Sequence, residues 1–171
     1  TFCSANLPCM NIWQLLQPNG YEGAFGSGLY TDILVAPLKG SATQFTAHNF
    51  NDDTPGMNKM KAAFDAYKPG SGSKLEVGSF YGYISTDFFI QVLKKVAAKG
   101  ANNITPENVQ KVASTFTWEL DGVAGPTQFP KSTVSGFPAC LSAMEDDGTA
   151  WKTVVEYQCS TKTYSPKTKI K

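Results

Sequence analysis

The order of helix and strand signals is the feature of this chain that most constrains its fold. Thr54-Pro55 and Thr105-Pro106 each place a capping hydroxyl directly before a proline, a pattern typical of the first turn of an α-helix. Between them, apolar residues at helical spacing predict a long helix over residues 80–99. From Trp118 onward the pattern changes to short β-strands. The sequence therefore predicts a mixed α and β fold that ends in antiparallel strands.

The same signals predict the remaining elements. Helices are expected over residues 6–17, over 29–36, from Pro55 through Tyr67 and from Pro106 through Phe116. Short strands are expected over residues 22–25, 42–50 and 123–129, and a turn over residues 26–28. In the helix after Pro55, four apolar residues lie three or four positions apart and predict one buried stripe: Met57, Met60, Phe64 and Tyr67.

Four cysteines and a single histidine, His48, limit the chemistry of the chain. No two cysteines form a Cys-x-x-Cys pair, so a zinc site would need ligands at unfavourable spacings. Disulfides are the better interpretation, and they indicate an oxidising compartment.

The local pattern favours one of the three possible disulfide pairings. Residues 137–145 and 151–159 both resemble strands, and Asp146-Asp147-Gly148 between them predicts a hairpin turn. Folding the chain at that turn brings Cys140 close to Cys159. Cys3 and Cys9 are then left to pair with each other.

The charge distribution argues against a polyanionic partner. All fifteen basic residues are lysines, against fourteen acidic residues, so the net charge is +1 and the arginine fork that favours phosphates and base edges is missing. Residues 162–171 hold four lysines and no acid, and we expect residues 161–171 to form a flexible basic tail. No stretch approaches the ~18 apolar residues that a membrane helix needs.

The sequence carries no motif for catalysis or phosphate binding. Neither Gly-x-Gly-x-x-Gly, a P-loop nor Gly-x-Ser-x-Gly occurs. The acidic groups at Asp52-Asp53 and Glu145-Asp146-Asp147 lie in turn-like segments, where turn and capping roles are expected. We expect His48 to be satisfied by a local partner. We therefore predict no catalytic residue, no metal and no cofactor.

A series of motifs in the second half of the chain resembles a known family. Tyr83-Ile84-Ser85-Thr86-Asp87-Phe88-Phe89 opens a long helix, and Thr105-Pro106-Glu107-Asn108 opens a short one. The segment Gly122-Val123-Ala124-Gly125-Pro126-Thr127-Gln128-Phe129-Pro130 and a closing hairpin follow. In this order they resemble the C-terminal part of the solute-binding proteins of ABC importers, in the branched-chain amino acid (Leu/Ile/Val-binding) family. The resemblance extends upstream to about Leu7.

The resemblance implies an α/β fold with three αβα layers, namely the C-terminal part of a two-lobed type I periplasmic-binding-protein fold. It implies that most of the first lobe and the start of the second are missing, which a cut chain, a truncation or a partner supplying the rest would each explain. The regions it implies are residues 1–41 in the second lobe, 42–50 as a crossing strand, 51–130 in the first lobe, and 131–160 returning to the second lobe with the hairpin.

The family's function implies where a solute binds. Tyr30, Phe80 and Tyr81 are the positions implied to contact it. Leu29 and Tyr30 stand where amino-acid-binding members carry an acid for the ligand's ammonium, and the nearest acid is Asp32. We therefore expect a neutral or anionic solute with a flat or apolar body. The implied partners are the missing N-terminal part and a membrane permease, and the implied location is extracytoplasmic and bacterial.

Two other functions are compatible with the sequence. A complete small secreted domain would bind a polymer or a protein through exposed aromatic residues such as Trp118 and Trp151. A small hydrolase would use Glu119 and Asp121, which are two positions apart on a possible strand and so share one of its faces.

Overall fold

The computed structural model describes residues 2–3, 6–27, 35–128 and 139–160. The described helices are α1 (Asn6–Leu16), α2 (Pro55–Tyr67), α3 (Val77–Ala97) and α4 (Pro106–Ala113). Single 3₁₀ turns at Gly72–Lys74 and Ala101–Asn103 precede α3 and α4. None of the described helices is long and apolar enough to cross a bilayer.

The described strands form one mixed sheet and one small ribbon. The sheet contains β1 (Phe2–Cys3), β2 (Gly26–Ser27), β3 (Ala42–Phe45), β6 (Ala139–Asp146) and β7 (Trp151–Ser160), in that spatial order. The first three strands are parallel, whereas β6 pairs antiparallel with both β3 and β7. The ribbon consists of β4 (Trp118–Leu120) and β5 (Ala124–Thr127), which are antiparallel.

Both predicted Thr-Pro helix starts are confirmed. The Thr54 hydroxyl accepts a hydrogen bond from the Met57 amide at 3.1 Å, and the Thr105 hydroxyl accepts one from the Asn108 amide at 3.3 Å. Each bond satisfies an amide that has no partner inside its helix. The Thr54 hydroxyl also donates to the Gly122 carbonyl, which ties the start of α2 to the turn between β4 and β5.

Several sequence predictions were wrong in their boundaries. Residues 22–25 are not a strand and Gly26–Ser27 is not part of a turn, because β2 consists of those two residues, paired on both sides in the parallel sheet. β3 ends at Phe45, short of residue 50, as the chain leaves the sheet. The predicted helix over residues 29–36 falls largely outside the described residues, and residues 35–40 form a turn.

The core has a main cluster and a smaller one. The smaller cluster packs α1 on the start of the sheet through Cys9, Trp13, Phe25 and Leu38. The main cluster joins α2, α3, β4, β5 and the hairpin through twelve buried residues: Phe45, Ala47, Phe50, Met57, Met60, Leu75, Phe80, Trp118, Val123, Ala124, Met144 and Trp151.

Two of these core residues overturn a sequence-based alternative. Trp118 and Trp151 are buried, so neither is available as an exposed aromatic for binding a polymer or a protein. The Trp118 indole nitrogen donates to the Asp87 carboxylate at 2.9 Å, which satisfies its one polar group inside the core. Tyr67 was also wrongly placed, because it extends into solvent from the end of α2 rather than completing the buried stripe.

Candidate functional site

The carboxyl ends of β1, β2 and β3 form one edge of the parallel part of the sheet. In open α/β sheets this is the edge outside which ligands bind. Tyr30 follows β2 in the sequence and lies outside the described residues, so its contact with a solute stays a prediction. The chain after β3 is described and leads directly into the connection with α2.

The other two predicted contacts, Phe80 and Tyr81, lie in the first turns of α3. Phe80 is fully buried (0% exposed) and packs edge-on against Phe50, with ring centroids 5.0 Å apart. Core packing therefore accounts for Phe80. Tyr81 is 41% exposed, and its ring rests on Phe80 with centroids 5.8 Å apart. Of the two, only Tyr81 exposes ring surface to solvent, and its contact with a solute stays a prediction.

Three chain segments meet where the sheet connects to the helices. Ala47 forms an antiparallel bridge with Ala124, and the His48 amide donates to the Val123 carbonyl at 2.8 Å. From the hairpin, the Ser142 hydroxyl donates to the Ala47 carbonyl at 2.6 Å. We call this meeting of residues 46–52, residues 123–126 and the β6–β7 hairpin the crossing junction.

The imidazole of His48 is held within the crossing junction. Its Nδ1 lies 2.8 Å from Oδ2 of Asp52, and the same carboxylate oxygen accepts from the Asn49 amide at 3.1 Å. The other side of the ring lies against Tyr157, with ring centroids 4.4 Å apart. The expectation that His48 has a local partner is thus confirmed. This arrangement orients the ring.

Tyr157 links the hairpin to the ribbon. Its hydroxyl donates to the Gly125 carbonyl at 2.6 Å. Burial raises the pKa of the Tyr157 hydroxyl, the hydrogen bond to Gly125 opposes this shift, and the charge of Glu119 adds to it. Gly125 has φ = +98°, and a Cβ there would meet the Trp118 carbonyl and the Glu119 Cα at 2.9 Å. Only glycine fits at this position.

The predicted disulfide is confirmed beside this contact. Cys140 and Cys159 are directly paired across β6 and β7 and are bonded to each other. Their sulfurs lie 3.9 Å from the Pro126 carbonyl and 3.7 Å from the Gly125 carbonyl. Cys9 is buried and disulfide-bonded. The Cys3 side chain lies outside the described residues, so the pairing of Cys3 with Cys9 stays a prediction.

Asp53 and Asp147 lie outside the helices and strands, as expected of the acidic groups, whereas Glu145 and Asp146 are the last two residues of β6 and not part of a turn. Asp53 accepts from the Asn58 amide side chain at 2.6 Å. Asp147 accepts from the Thr149 hydroxyl at 2.6 Å and from the Ala150 amide at 2.8 Å, and these bonds lower its pKa to about 2. Asp146 accepts from the Gly148 amide at 2.7 Å.

The carboxylate pair of the hydrolase alternative is not assembled on one strand. Glu119 lies in β4, whereas Asp121 lies in the turn that follows it, and both are exposed. Within the described residues, no group of three or more His, Cys, Asp or Glu side chains comes together as metal ligands would.

The crossing junction was not recognised from the sequence. The only available signal was the spacing of His48 and Asp52, four positions apart, which brings two side chains together in a helix or a turn but not in a strand. Tyr157 and Gly125 are 32 positions apart, and their contact depends on how the hairpin packs on the ribbon. Nothing local in the sequence encodes that packing.

No protein-family model and no curated protein matches the chain. Two solved structures resemble it, each with 19% sequence identity. One is a branched chain amino acid ABC transporter from Thermus thermophilus with bound valine, with a TM-score of 0.66 over 93% of this chain and 46% of that chain. The other is a fatty acid ABC transporter substrate-binding protein from Thermomonospora curvata, with a TM-score of 0.69 over 95% of this chain and 44% of that chain.

The present chain therefore spans less than half the length of either structure. Within that span, its mixed sheet and its helices follow the architecture of both proteins. The resemblance expected from the sequence is confirmed at the level of the fold, and the chain has part of the α/β fold of the type I periplasmic binding proteins.

Proposed function

We propose that the chain is part of the extracytoplasmic solute-binding component of an ABC importer. The observation that carries this proposal is the likeness to two such proteins over 93% and 95% of the chain. The Cys140–Cys159 disulfide supports a location outside the cytoplasm, where such bonds persist. In this proposal the missing N-terminal part completes two lobes, and the closed protein delivers its solute to a membrane permease.

The lobe boundaries expected from the sequence are part of the proposal. Residues 1–41 and 131–160 belong to the second lobe, residues 42–50 cross over, and residues 51–130 belong to the first lobe. The crossing junction then lies where the two lobes connect. Its hydrogen bonds, from His48 to Val123 and from Tyr157 to Gly125, restrict the motion of the lobes to a hinge.

The proposed solute is neutral or anionic and has an apolar body. A zwitterionic amino acid carries an ammonium that needs an anionic partner when it loses water, and the expected position holds Leu29 and Tyr30. Tyr81, supported from beneath by Phe80, offers a flat apolar face together with a hydroxyl. That one of the similar structures is a fatty acid transporter's binding protein is consistent with such a solute.

Calorimetry on the full-length protein tests the proposal, with branched-chain amino acids, aromatic carboxylates, fatty acids and small polyols as solutes. We expect binding of an apolar carboxylate or a neutral solute. Tyr81→Ala should raise the Kd for that solute by at least ~10-fold, which corresponds to a loss of ~1.4 kcal/mol of binding free energy. The control is Tyr67→Ala, which removes an exposed tyrosine ring at the end of α2, outside the proposed site. Micromolar or tighter binding of leucine, isoleucine or valine would contradict the proposed solute class.

We further propose that the chain catalyses no reaction. His48 is held by the Asp52 carboxylate and packs on Tyr157, and Glu119 and Asp121 are not paired on one strand. Replacing His48, Glu119 or Asp121 with Ala should change solute affinity by no more than a small factor. A loss of some catalytic turnover by a thousandfold in one of these variants, with the fold intact, would show that the protein is an enzyme.

A further inference from the structure

Three polar side chains are buried without partners where β3 meets β6. Ser41, just before β3, is 0% exposed, Thr43 within β3 is 2% exposed, and Asp146 at the end of β6 is 1% exposed. Among the described residues, the hydroxyls of Ser41 and Thr43 and the Oδ2 atom of Asp146 have no hydrogen-bond partner. Because buried polar groups are almost always hydrogen-bonded, three such groups in one place indicate a bound ion or molecule.

The register of the sheet brings these three groups to one face. The Asp146 amide donates to the Ser41 carbonyl at 2.9 Å, so the two residues lie opposite each other on neighbouring strands. Two residues further along β3, Thr43 pairs with Met144. Since side chains alternate along a strand, all three polar groups share a face with Met144. Met144 belongs to the main core cluster, and the three groups therefore lie on the interior side of the sheet.

The carboxylate of Asp146 has no counter-charge among the described residues. Its Oδ1 accepts from the Gly148 amide at 2.7 Å, which leaves Oδ2 for the interior face. The ammonium of Lys152 lies 3.8 Å from Asp147, the exposed neighbour, and forms no ion pair with Asp146. A buried carboxylate without a partner destabilises a fold, so a cation bound beside it would be stabilising.

We propose that the side-chain oxygens of Ser41, Thr43 and Asp146 hold a monovalent alkali cation, and we call this place the β3–β6 cation site. Hard cations take oxygen ligands, and hydroxyl and carboxylate oxygens are of that kind. One carboxylate supplies one negative charge, which a monovalent ion balances. The flanking acids, Glu145 and Asp147, are exposed and lie outside the site, so the site lacks the additional carboxylates that favour calcium.

The β3–β6 cation site is separate from the proposed solute site. Ser41 lies at the amino end of β3, whereas ligands of open α/β sheets bind outside the carboxyl ends of the strands. The inference therefore goes beyond the proposed function and does not rest on it. No sequence motif marks the site, because its hydroxyls and its carboxylate are more than a hundred positions apart and meet only through the pairing of β3 with β6.

Thermal melting of the full-length protein at pH 7 tests the proposal, in sodium, potassium, calcium or choline chloride at equal ionic strength. Sodium or potassium should raise the melting temperature above its value in choline by at least ~2 °C, because the ion binds only the folded state. Asp146→Asn should abolish this rise, and Thr43→Val should reduce it at nearly unchanged side-chain volume. Asp147→Asn, at the exposed neighbouring carboxylate, is the matched control and should keep the rise.

Choline chloride is the cation-free reference, in which Asp146 has no counter-ion and Asp146→Asn should be more stable than the wild type. Sodium or potassium should narrow that difference. Equal melting temperatures of the wild type in all four salts would overturn the proposal and would assign a bridging water molecule to the three groups. A larger rise in calcium than in sodium or potassium would overturn the assignment to a monovalent ion.

Anomalous diffraction provides a second measurement that needs no variant. Crystals of the wild-type protein soaked in thallium(I), a heavy monovalent cation, should show an anomalous peak within bonding distance of Asp146 Oδ2. A map without a peak there would overturn the proposal. Solute binding is measured separately, so failure here leaves the proposed function standing.

Discussion

At the scale of single residues, two neighbouring aspartates at the end of β6 have pKa values that are shifted in opposite directions. Asp146 is 1% exposed, and burial raises the pKa of its carboxyl despite the hydrogen bond from the Gly148 amide. Among the described residues, its Oδ2 has no hydrogen-bond partner, and neither do the buried hydroxyls of Ser41, just before β3, and Thr43, within β3. Asp147 is exposed, and the hydrogen bonds that its Oδ1 accepts from Thr149 and Ala150 lower its pKa. The two carboxyls therefore affect stability with opposite signs as pH changes.

Asp146→Asn should stabilise the protein at pH 7 and change its stability little at pH 3. A carboxyl whose folded pKa is raised favours the folded state below its unfolded pKa of about 4, and that contribution is lost as pH rises. Asparagine removes the buried charge, and its Oδ1 still accepts from Gly148. Thermal melting at both pH values measures the effect. A variant less stable than the wild type at pH 7 would show that the Asp146 charge is compensated.

Asp147→Asn is the matched comparison, with the opposite sign. Its folded pKa of about 2 means that the ionised carboxylate stabilises the turn above about pH 4, and that this contribution is lost as pH falls toward 2. The Asn variant should therefore be less stable than the wild type at pH 7, with the difference narrowing near pH 2. No narrowing would mean that the turn tolerates the amide equally well.

Tyr157→Phe tests the contact between the hairpin and the ribbon. Loss of the hydroxyl leaves the Gly125 carbonyl without this donor and should cost about 0.5–1.5 kcal/mol at neutral pH. Because the folded pKa of Tyr157 is raised, the wild type should also lose stability as pH rises above about 10, and this loss should be smaller in the Phe variant. Urea unfolding at pH 7 and pH 10.5 measures both effects. Equal stability at pH 7 would show that another donor replaces the hydroxyl.

At the scale of elements, a covalent bond connects the two strands of the β6–β7 hairpin. The Cys140–Cys159 bond closes a loop with a sequence separation of 19. In the chain-entropy model a loop of this length contributes about 3 kcal/mol. In urea unfolding, the free energy of unfolding of the double variant Cys140→Ser/Cys159→Ser should be lower than that of the wild type by roughly that amount. Reduction of the wild type should lower it equally, provided that the disulfide of Cys9 stays intact. An unchanged midpoint would show that strand pairing alone holds the hairpin.

The elements that could be predicted from the sequence are those whose signals are local. Thr54 and Thr105 cap their helices through bonds to residues three positions away, and the hairpin turn lies beside strands that pair with each other. β2 could not be predicted, because its two residues become a strand only through parallel partners that are distant in sequence. The burial of Trp118 was likewise missed, since it depends on the Asp87 carboxylate of α3.

The candidate site was less predictable than the fold. Of the residues implied to contact the solute, Phe80 lies in the core. It is buried there because its ring packs on Phe50, in the segment that follows β3. Sequence spacing places Phe80 and Tyr81 together but does not say which of the two faces inward. The crossing junction depends on contacts between Tyr157 and Gly125 that no periodicity encodes.

At the scale of the whole molecule, the proposed function requires that a solute is enclosed from two sides. The carboxyl ends of the parallel strands lie at one edge of the sheet, and Tyr81 lies in the first turns of α3. Binding sites of this kind bury most of the ligand's surface, so both walls contribute to affinity. The present chain spans less than half of the similar proteins, and a large share of the enclosing surface is therefore expected to come from the rest of the polypeptide.

The 171-residue chain alone should consequently bind the solute at least ~100-fold more weakly than the full-length protein, which corresponds to losing about 2.7 kcal/mol of binding free energy. The physical reason is the loss of contacts and of desolvation from one wall, while the cost of immobilising the solute stays the same. Calorimetry of both proteins with one solute measures the difference, and Tyr81→Ala in each shows whether the remaining contacts use the same wall. Equal affinity would contradict the proposed second wall and would mean that the whole site lies within this chain.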